Sequence, residues 1–420
     1  MKMTRRLPST VAVFVLLLAR ASHAQEASDD FRNVQREKPA PAEPAPAPAN
    51  PETAPRPDAI SPNATQPGPQ PTDRPKKIFE LTPFGYLRAG YDFTFKDPRF
   101  AFVGRNNGFV LDAARLGLDG YNADYAFAWR ISIEGASDEL SAPNTPIGSL
   151  SVRLRDAFVR WDPVDWAGLQ FGQFKAPFQE EELRGTNTLL FASRSVGVEG
   201  VLPGRGFQTP GIALDRQLGV MLSPSKPIGG SIAASYYVMV MNGNGPNQIL
   251  DDNGHLGVVG RTEVGYEKYA RLGAAVFKND RTVGDPPNLY NEEDFGLTGD
   301  LSVKVAGLQV FASITRLRTV FPTVGTSARV QLAYQAQAGY RFDLGNFFLT
   351  PAYRFAYFHP WQDGGGEGFD AYKLQYHTFG LRAGHAKLPV QAWLNYTLTH
   401  EEEGRKLEND RIELLGQVTF

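Results

Sequence analysis

The chain has 420 residues, with 43 Lys and Arg set against 45 Asp and Glu, for a net charge of −2. Near balance excludes a bulk field that would draw nucleic acid or an acidic surface, so any selectivity has to be local. The sequence has no cysteine, which excludes a disulfide frame, thiolate catalysis and Cys-ligated metal.

In chain order, the basic start "MKMTRR", the apolar run "VAVFVLLLA" and the small-x-small pattern in "ASHAQ" read as a signal peptide over Met1–Ala24. Its apolar run is too short to span a bilayer. Residues 25–77, dominated by "PAPAEPAPAPANPETAPRP", lack apolar side chains to bury and are stiffened by proline. They read as a disordered periplasmic segment, either an inert spacer or an arm that tethers the protein to peptidoglycan.

From residue 78 to 420 the dominant signal is period two. "QLAYQAQAGYRFD" puts Leu332, Tyr334 and Tyr340 on one face and Gln331, Gln335 and Arg341 on the other, and "DYAFAWRISIEG" repeats the pattern. Connections alternate between short, such as "YNAD", "KVAG" and "GHAKLP", and long, such as "NGNGPNQILDDNGH", "NDRTVGDPPNLYNEE" and "FPTVGTSAR". About 16 strands of about ten residues with that alternation predict an all-β fold, a transmembrane antiparallel β-barrel. Aromatic residues near strand ends, among them Trp161, Trp166, Tyr266, Tyr269, Phe358 and Trp361, fit interfacial girdles. The last strand, "DRIELLGQVTF", stops on Phe420, a terminal aromatic of the kind the outer-membrane insertion machinery reads.

The segment Lys175–Asp215 is the longest connection and falls third on the long-loop side, where long structureless segments are commonly functional. A barrel of this size is wide enough to need narrowing, so the segment is predicted to fold inward as a constriction. Lys175, Arg184, Arg194, Arg205 and Arg216 are its candidate anion-binding cations. Glu180, Glu181 and Glu182 are the acids expected to anchor it. The plainer alternative is a solvated outer loop whose charges only keep it soluble.

Turning the apolar phase of each strand to lipid leaves Arg88, Arg115, Arg130, Arg261, Arg271, Arg341 and Arg354 facing the lumen. Arg153, Arg155 and His377 follow on strands where the apolar parity switches and a bulge is expected. Forked guanidinium donors match phosphate oxygens. The same phase also turns Asp92, Asp119, Glu134, Glu263, Asp300 and Glu413 inward, so a weakly selective general pore is a second reading. A sugar pore would want a track of lumen aromatics, for which Tyr237 and Phe348 are the mid-strand candidates. The histidines are dispersed and stand in no nucleophile motif, so no catalytic residue is assigned. Neither cofactor nor metal is called for.

Gln173-Phe174-Lys175, Pro177-Phe178, Glu181-Glu182-Leu183, Arg194-Ser195, Pro203-Gly204-Arg205 and Arg216-Gln217-Leu218-Gly219-Val220 resemble, in order, the signature of the phosphate-selective porin O and P family. Weaker similarity runs through "ARLGLDG", "RDAFVRW", "NGNG" and "GVVGRTE". The resemblance implies a homotrimeric outer-membrane channel that is anion-selective in its best-known members. Its solutes would be small anions such as phosphate, and its surroundings outer-membrane lipid and lipopolysaccharide. Two positions depart from the family pattern: Ser193 replaces the usual glutamate before Arg-Ser, and Arg115 stands after two alanines in place of paired arginines.

Overall fold

The computed structural model describes residues 79–137, 150–284, 287–324, 326–361, 373–402 and 406–420. The predicted signal peptide and the Pro/Ala-rich segment lie outside the described residues. Sixteen principal strands follow in order: β1 Glu80–Thr94, β2 Gly108–Asn122, β3 Phe127–Ser137, β4 Leu150–Val164, β5 Ala167–Lys175, β6 Arg216–Ser223, β7 Ile232–Met241 and β8 Gly257–Tyr266, then β9 Ala270–Val283, β10 Tyr290–Val305, β11 Leu308–Phe321, β12 Thr326–Tyr340, β13 Phe347–His359, β14 Leu374–His385, β15 Val390–Glu401 and β16 Arg411–Thr419. Each pairs antiparallel with its chain neighbours, and β16 returns to β1 from Tyr86↔Thr419 to Thr94↔Arg411. The sheet is therefore closed, and no strand edge is left to satisfy in lipid.

The alternation that builds these strands is inverted relative to a water-soluble protein. Along β16, Arg411, Glu413, Leu415 and Gln417 are buried, while Ile412, Leu414 and Val418 are exposed. Along β8, Arg261 and Glu263 are buried between exposed Val258 and Val264. An apolar outward phase with a polar inward phase suits a wall between hydrocarbon and water.

Connections are short on one side of the barrel, as at residues 165–166 and 306–307, and longer on the other, as at 95–107 and 242–256. Two loops expected to be long are shorter. Strand β9 continues to Val283 and β10 begins at Tyr290, because Arg281 pairs across the ladder with Glu292 at 2.6 Å and Thr282 stands opposite Asn291. Likewise β11 runs to Phe321 and β12 starts at Thr326.

Bulges set side-chain direction where parity switches. The β3–β4 register shifts between Ile131 and Ile133, so that Asp156 and Arg160 lie on the buried side while Arg153, beyond the shift, stands opposite the inward Glu134 and is exposed near the start of β4. His377 departs from the lumen expectation: it shares the outward phase of β14 with Phe379, and its Nδ1 meets Tyr353 Oη at 2.7 Å. Trp161, Trp166 and Tyr266 are exposed near the short turns, but Phe358 is fully buried on the inward phase and is not part of a girdle.

Candidate functional site

Between β5 and β6 the chain enters as Lys175, Ala176, Pro177 and Phe178, all buried, with the Phe178 ring 5.7 Å from that of Phe277. Two single-turn helices follow, α1 Glu180–Leu183 and α2 Val196–Glu199. Each of the three consecutive glutamates of α1 reaches a different part of the protein.

Glu180 lies 3.4 Å from Arg261, 3.5 Å from Arg271 and 3.6 Å from Arg184, so it ties the segment to β8 and β9. Glu181 accepts from Ser195 Oγ at 2.6 Å, from the Ser195 backbone N–H at 3.2 Å and from Gln335 Nε2 at 2.5 Å, and it faces Arg354 at 3.6 Å. It thus joins both arms of the segment to β12 and β13. Glu182 accepts from the backbone N–H groups of Leu214 and Asp215, closing the base of the segment on itself. Burial and the neighbouring Asp215 carboxylate push the Glu182 carboxyl up to about 7.

The cations of the segment are held as firmly. Lys175 Nζ donates to the carbonyls of Leu183 at 3.2 Å and Arg184 at 2.9 Å. Arg194 donates to the Arg184 carbonyl at 2.8 Å, to Thr186 Oγ1 at 3.3 Å and to the Glu181 carbonyl at 3.4 Å. Its polar partners among the described residues are neutral, which leaves its charge uncompensated by direct pairing. Arg205, beyond the Pro203-Gly204 turn where Gly204 has φ +80°, sits 2.6 Å from Asp92, 3.5 Å from Glu199 and 3.7 Å from Glu413. Arg216 lies 2.8 Å from Asp156 and 3.1 Å from Asp215.

The wall arginines fall into two groups. Arg88, Arg261 and Arg354 touch the segment directly, at the carbonyls of Thr186 (2.9 Å), Phe178 (2.9 Å) and Ser193 (2.9 Å). Arg271 joins them through Glu180. Arg115 pairs with Asp156, Arg130 with Asp119 at 2.7 Å and Arg341 with Asp343 at 2.8 Å, all apart from it. Arg155 bridges Glu134 at 2.9 Å. The inward acids expected from the sequence are therefore partners of arginines.

Several participants escaped the sequence reading. Asp156 bridges Arg115 and Arg216. Arg411, two residues before the expected inward Glu413, donates to Ser193 at 3.3 Å, and Ser193 Oγ donates to Glu413 at 3.2 Å, so a wall carboxylate stands beside the departing family position. Phe311 and Trp393 are inward aromatics that carry guanidinium groups on their faces, Arg184 at 4.3 Å and Arg88 at 5.1 Å. Trp393 follows strict alternation along β15 and was readable; Phe311, in "LQVFASITRLRTVF", was not separable from the outward phase.

Two cavities open on the short-turn side. One, about 460 Å³, is bordered by Lys175 and Leu183 of the segment and by Arg115, Arg130, Asp156 and Arg216. The other, about 410 Å³, is bordered by Arg184 and Asn187 and by Lys304, Arg341, Arg382 and His385, with no carboxylate in its lining. Phe348 forms part of that wall, 4.2 Å beneath Arg341 and 5.6 Å from Arg382.

Comparison with solved structures agrees with the fold. The anion-selective porin from Comamonas acidovorans aligns with a TM-score of 0.57 at 13% identity, covering 81% of this chain and 100% of that one. The outer membrane channel DcaP of Acinetobacter baumannii gives 0.56 at 15% identity, covering 81% and 97%. Salmonella typhi OmpF gives 0.57 at 15% identity, covering 82% and 98%. No curated protein matches the sequence. The chain is thus a porin-type β-barrel, and its resemblance to the family described as "Phosphate-selective porin O and P" is borne out by a match to that family's model over residues 85–256.

Proposed function

We propose that the protein is an outer-membrane channel for passive diffusion of small hydrophilic anions, narrowed by residues 176–215 folded into the barrel. The observation that carries the reading is the cavity edged by Arg184, Lys304, Arg341 and Arg382 with no carboxylate in its lining. A file of guanidinium and ammonium groups replaces an anion's hydration in steps, so binding stays weak enough for release. Arg194, whose hydrogen-bond acceptors among the described residues are neutral, adds positive charge at the narrowing. Phosphate fits the forked donors and accords with the name of the matching family. The chain assembles as a homotrimer on this reading, as a trimer form is recorded for Vibrio cholerae OmpT, a structure of TM-score 0.53 and 10% identity.

A second reading, a weakly selective general pore, draws on the dense pairing elsewhere on the wall. Arg261 alone meets Glu263, Asp300 and Glu180. The two separate in a planar bilayer under a potassium chloride gradient. Anion selectivity predicts a reversal potential on the chloride side and a current reduced by added phosphate, both lost in Arg184→Gln/Lys304→Gln/Arg341→Gln/Arg382→Gln. A reversal potential near zero with no phosphate block would sink the anion reading.

A further inference from the structure

On the outward face of the wall, Lys278 of β9 and Arg316 and Arg318 of β11 are exposed, and none makes a hydrogen bond or ion pair among the described residues. Lys278 stands in register with Phe295 of β10, and Phe295 with Arg318. Two strand spacings therefore separate the cations, about 10 Å, and Arg316 follows two residues along the same face. Arg318 is three residues short of Phe321, the end of β11, so the group lies in the loop-side half of the wall. Asp280 and Glu293, opposite one another, face outward one pair nearer the loops, where water reaches. The cations are thus set deeper than the acids.

Beside them runs an apolar groove of about 670 Å³. Gly260, Ala274, Val276, Leu297 and Gly299 line it, and Arg316 is in its border. Cations against hydrocarbon are unfavourable unless their long stems carry the charge to a polar partner. An apolar trough bordered by a guanidinium suits a ligand that is itself half hydrocarbon and half anion. We infer that this face retains a phosphorylated acyl lipid of the outer leaflet. Its phosphates lie among Lys278, Arg316 and Arg318, with an acyl chain along the groove. Phosphate oxygens accept two parallel donors from a guanidinium, a geometry a zwitterionic headgroup offers with its charge already offset.

The inference rests on the outer-membrane setting but not on anion conduction. The full chain, purified in mild detergent, is titrated with lipopolysaccharide, with the same lipid stripped of its phosphates, and with a zwitterionic phospholipid, and retained lipid is read by native mass spectrometry. Wild type is expected to retain the phosphorylated form about tenfold better than the stripped one. Lys278→Gln/Arg316→Gln/Arg318→Gln removes that preference without affecting the zwitterionic lipid, and Arg316→Lys/Arg318→Lys restores part of it. These changes spare every ladder bond, and Arg316→Gln alone serves as a milder check on folding. Channel current stays at the wild-type level in the triple variant, which separates this inference from the channel reading. Equal retention of the phosphorylated lipid by wild type and triple variant overturns it. So does loss of subunit association with lipid retention unchanged, which would assign the cations to a protein contact.

Discussion

Replacing Glu181 with alanine tests what holds residues 176–215 in place. The carboxylate is 2% exposed, accepts from Ser195 and Gln335, and faces Arg354 at 3.6 Å. Deleting one partner of a buried, hydrogen-bonded ion pair costs about 3–5 kcal/mol, because the remaining charge stays buried. Here the partners are the segment's own return arm and strands β12 and β13, while the ladder bonds of the barrel are untouched. The loss therefore falls on docking of the segment. At about 1.4 kcal/mol per decade, the undocked population rises by a factor of about a hundred to a few thousand. The variant barrel should keep its strand content and heat resistance. Protease added from the loop side should cut the segment where wild type is protected, and single-channel current should become noisier. Glu181→Gln, which keeps an acceptor, should fall between the two. Equal protection and equal noise in Glu181→Ala and wild type would show that this glutamate does not fasten the segment.

Two further outcomes follow from particular groups. Glu182, with its carboxyl raised to about 7, is protonated in the docked segment below that pH and ionises at a cost above it. Since its ordinary value is near 4.5, docking weakens as pH climbs from about 4.5 through about 7. Ionisation also places a negative charge beside Lys175 and Arg194, so anion current should fall from about pH 6 to about pH 8. Glu182→Gln should flatten that profile, and an unchanged slope would refute the assignment. Phe420→Ala should lower the amount of assembled barrel in cells while leaving refolding into detergent micelles close to wild type; an equal defect in both would make the residue a packing element rather than an insertion signal.

The barrel was legible because its physics is periodic. An apolar face on lipid and a polar face on water impose alternation strand after strand, and β8, β12 and β16 carry it without interruption. The loop pattern was legible where sequence punctuates it with Gly, Asn and Pro, and misleading at residues 279–293, where the cross-strand pair Arg281–Glu292 extends the ladder into apparently loop-like sequence. Much of the site was harder. A wet lumen accepts either charge at any inward position, so alternation says which residues face in and nothing about which ones pair. Asp156 shows the limit: it faces inward because β4 shifts register against β3, a tertiary event, and only then does it reach Arg115 and Arg216. Phe358, an aromatic at a strand end, met the compositional test for an interfacial girdle yet points inward, because position along a strand does not fix phase.

The seam between β1 and β16 bears on how such a molecule can form at all. Phe420 exchanges two backbone hydrogen bonds with Gly85, each 2.9 Å, and its ring lies so close over Gly85 that a Cβ there would come within 2.7 Å of it. The first described strand thus keeps an open edge until the last described strand pairs with it. Every charge of the interior, from Arg88 to Glu413, stays without its enclosing wall for as long. Half-built intermediates expose unsatisfied backbone to lipid and unscreened charge to hydrocarbon together, two penalties that vanish in one step at closure. Assembly of this barrel is therefore a zipper clasped at the β1–β16 seam, and a change at Gly85 should register as a failure to finish rather than as a weakened product.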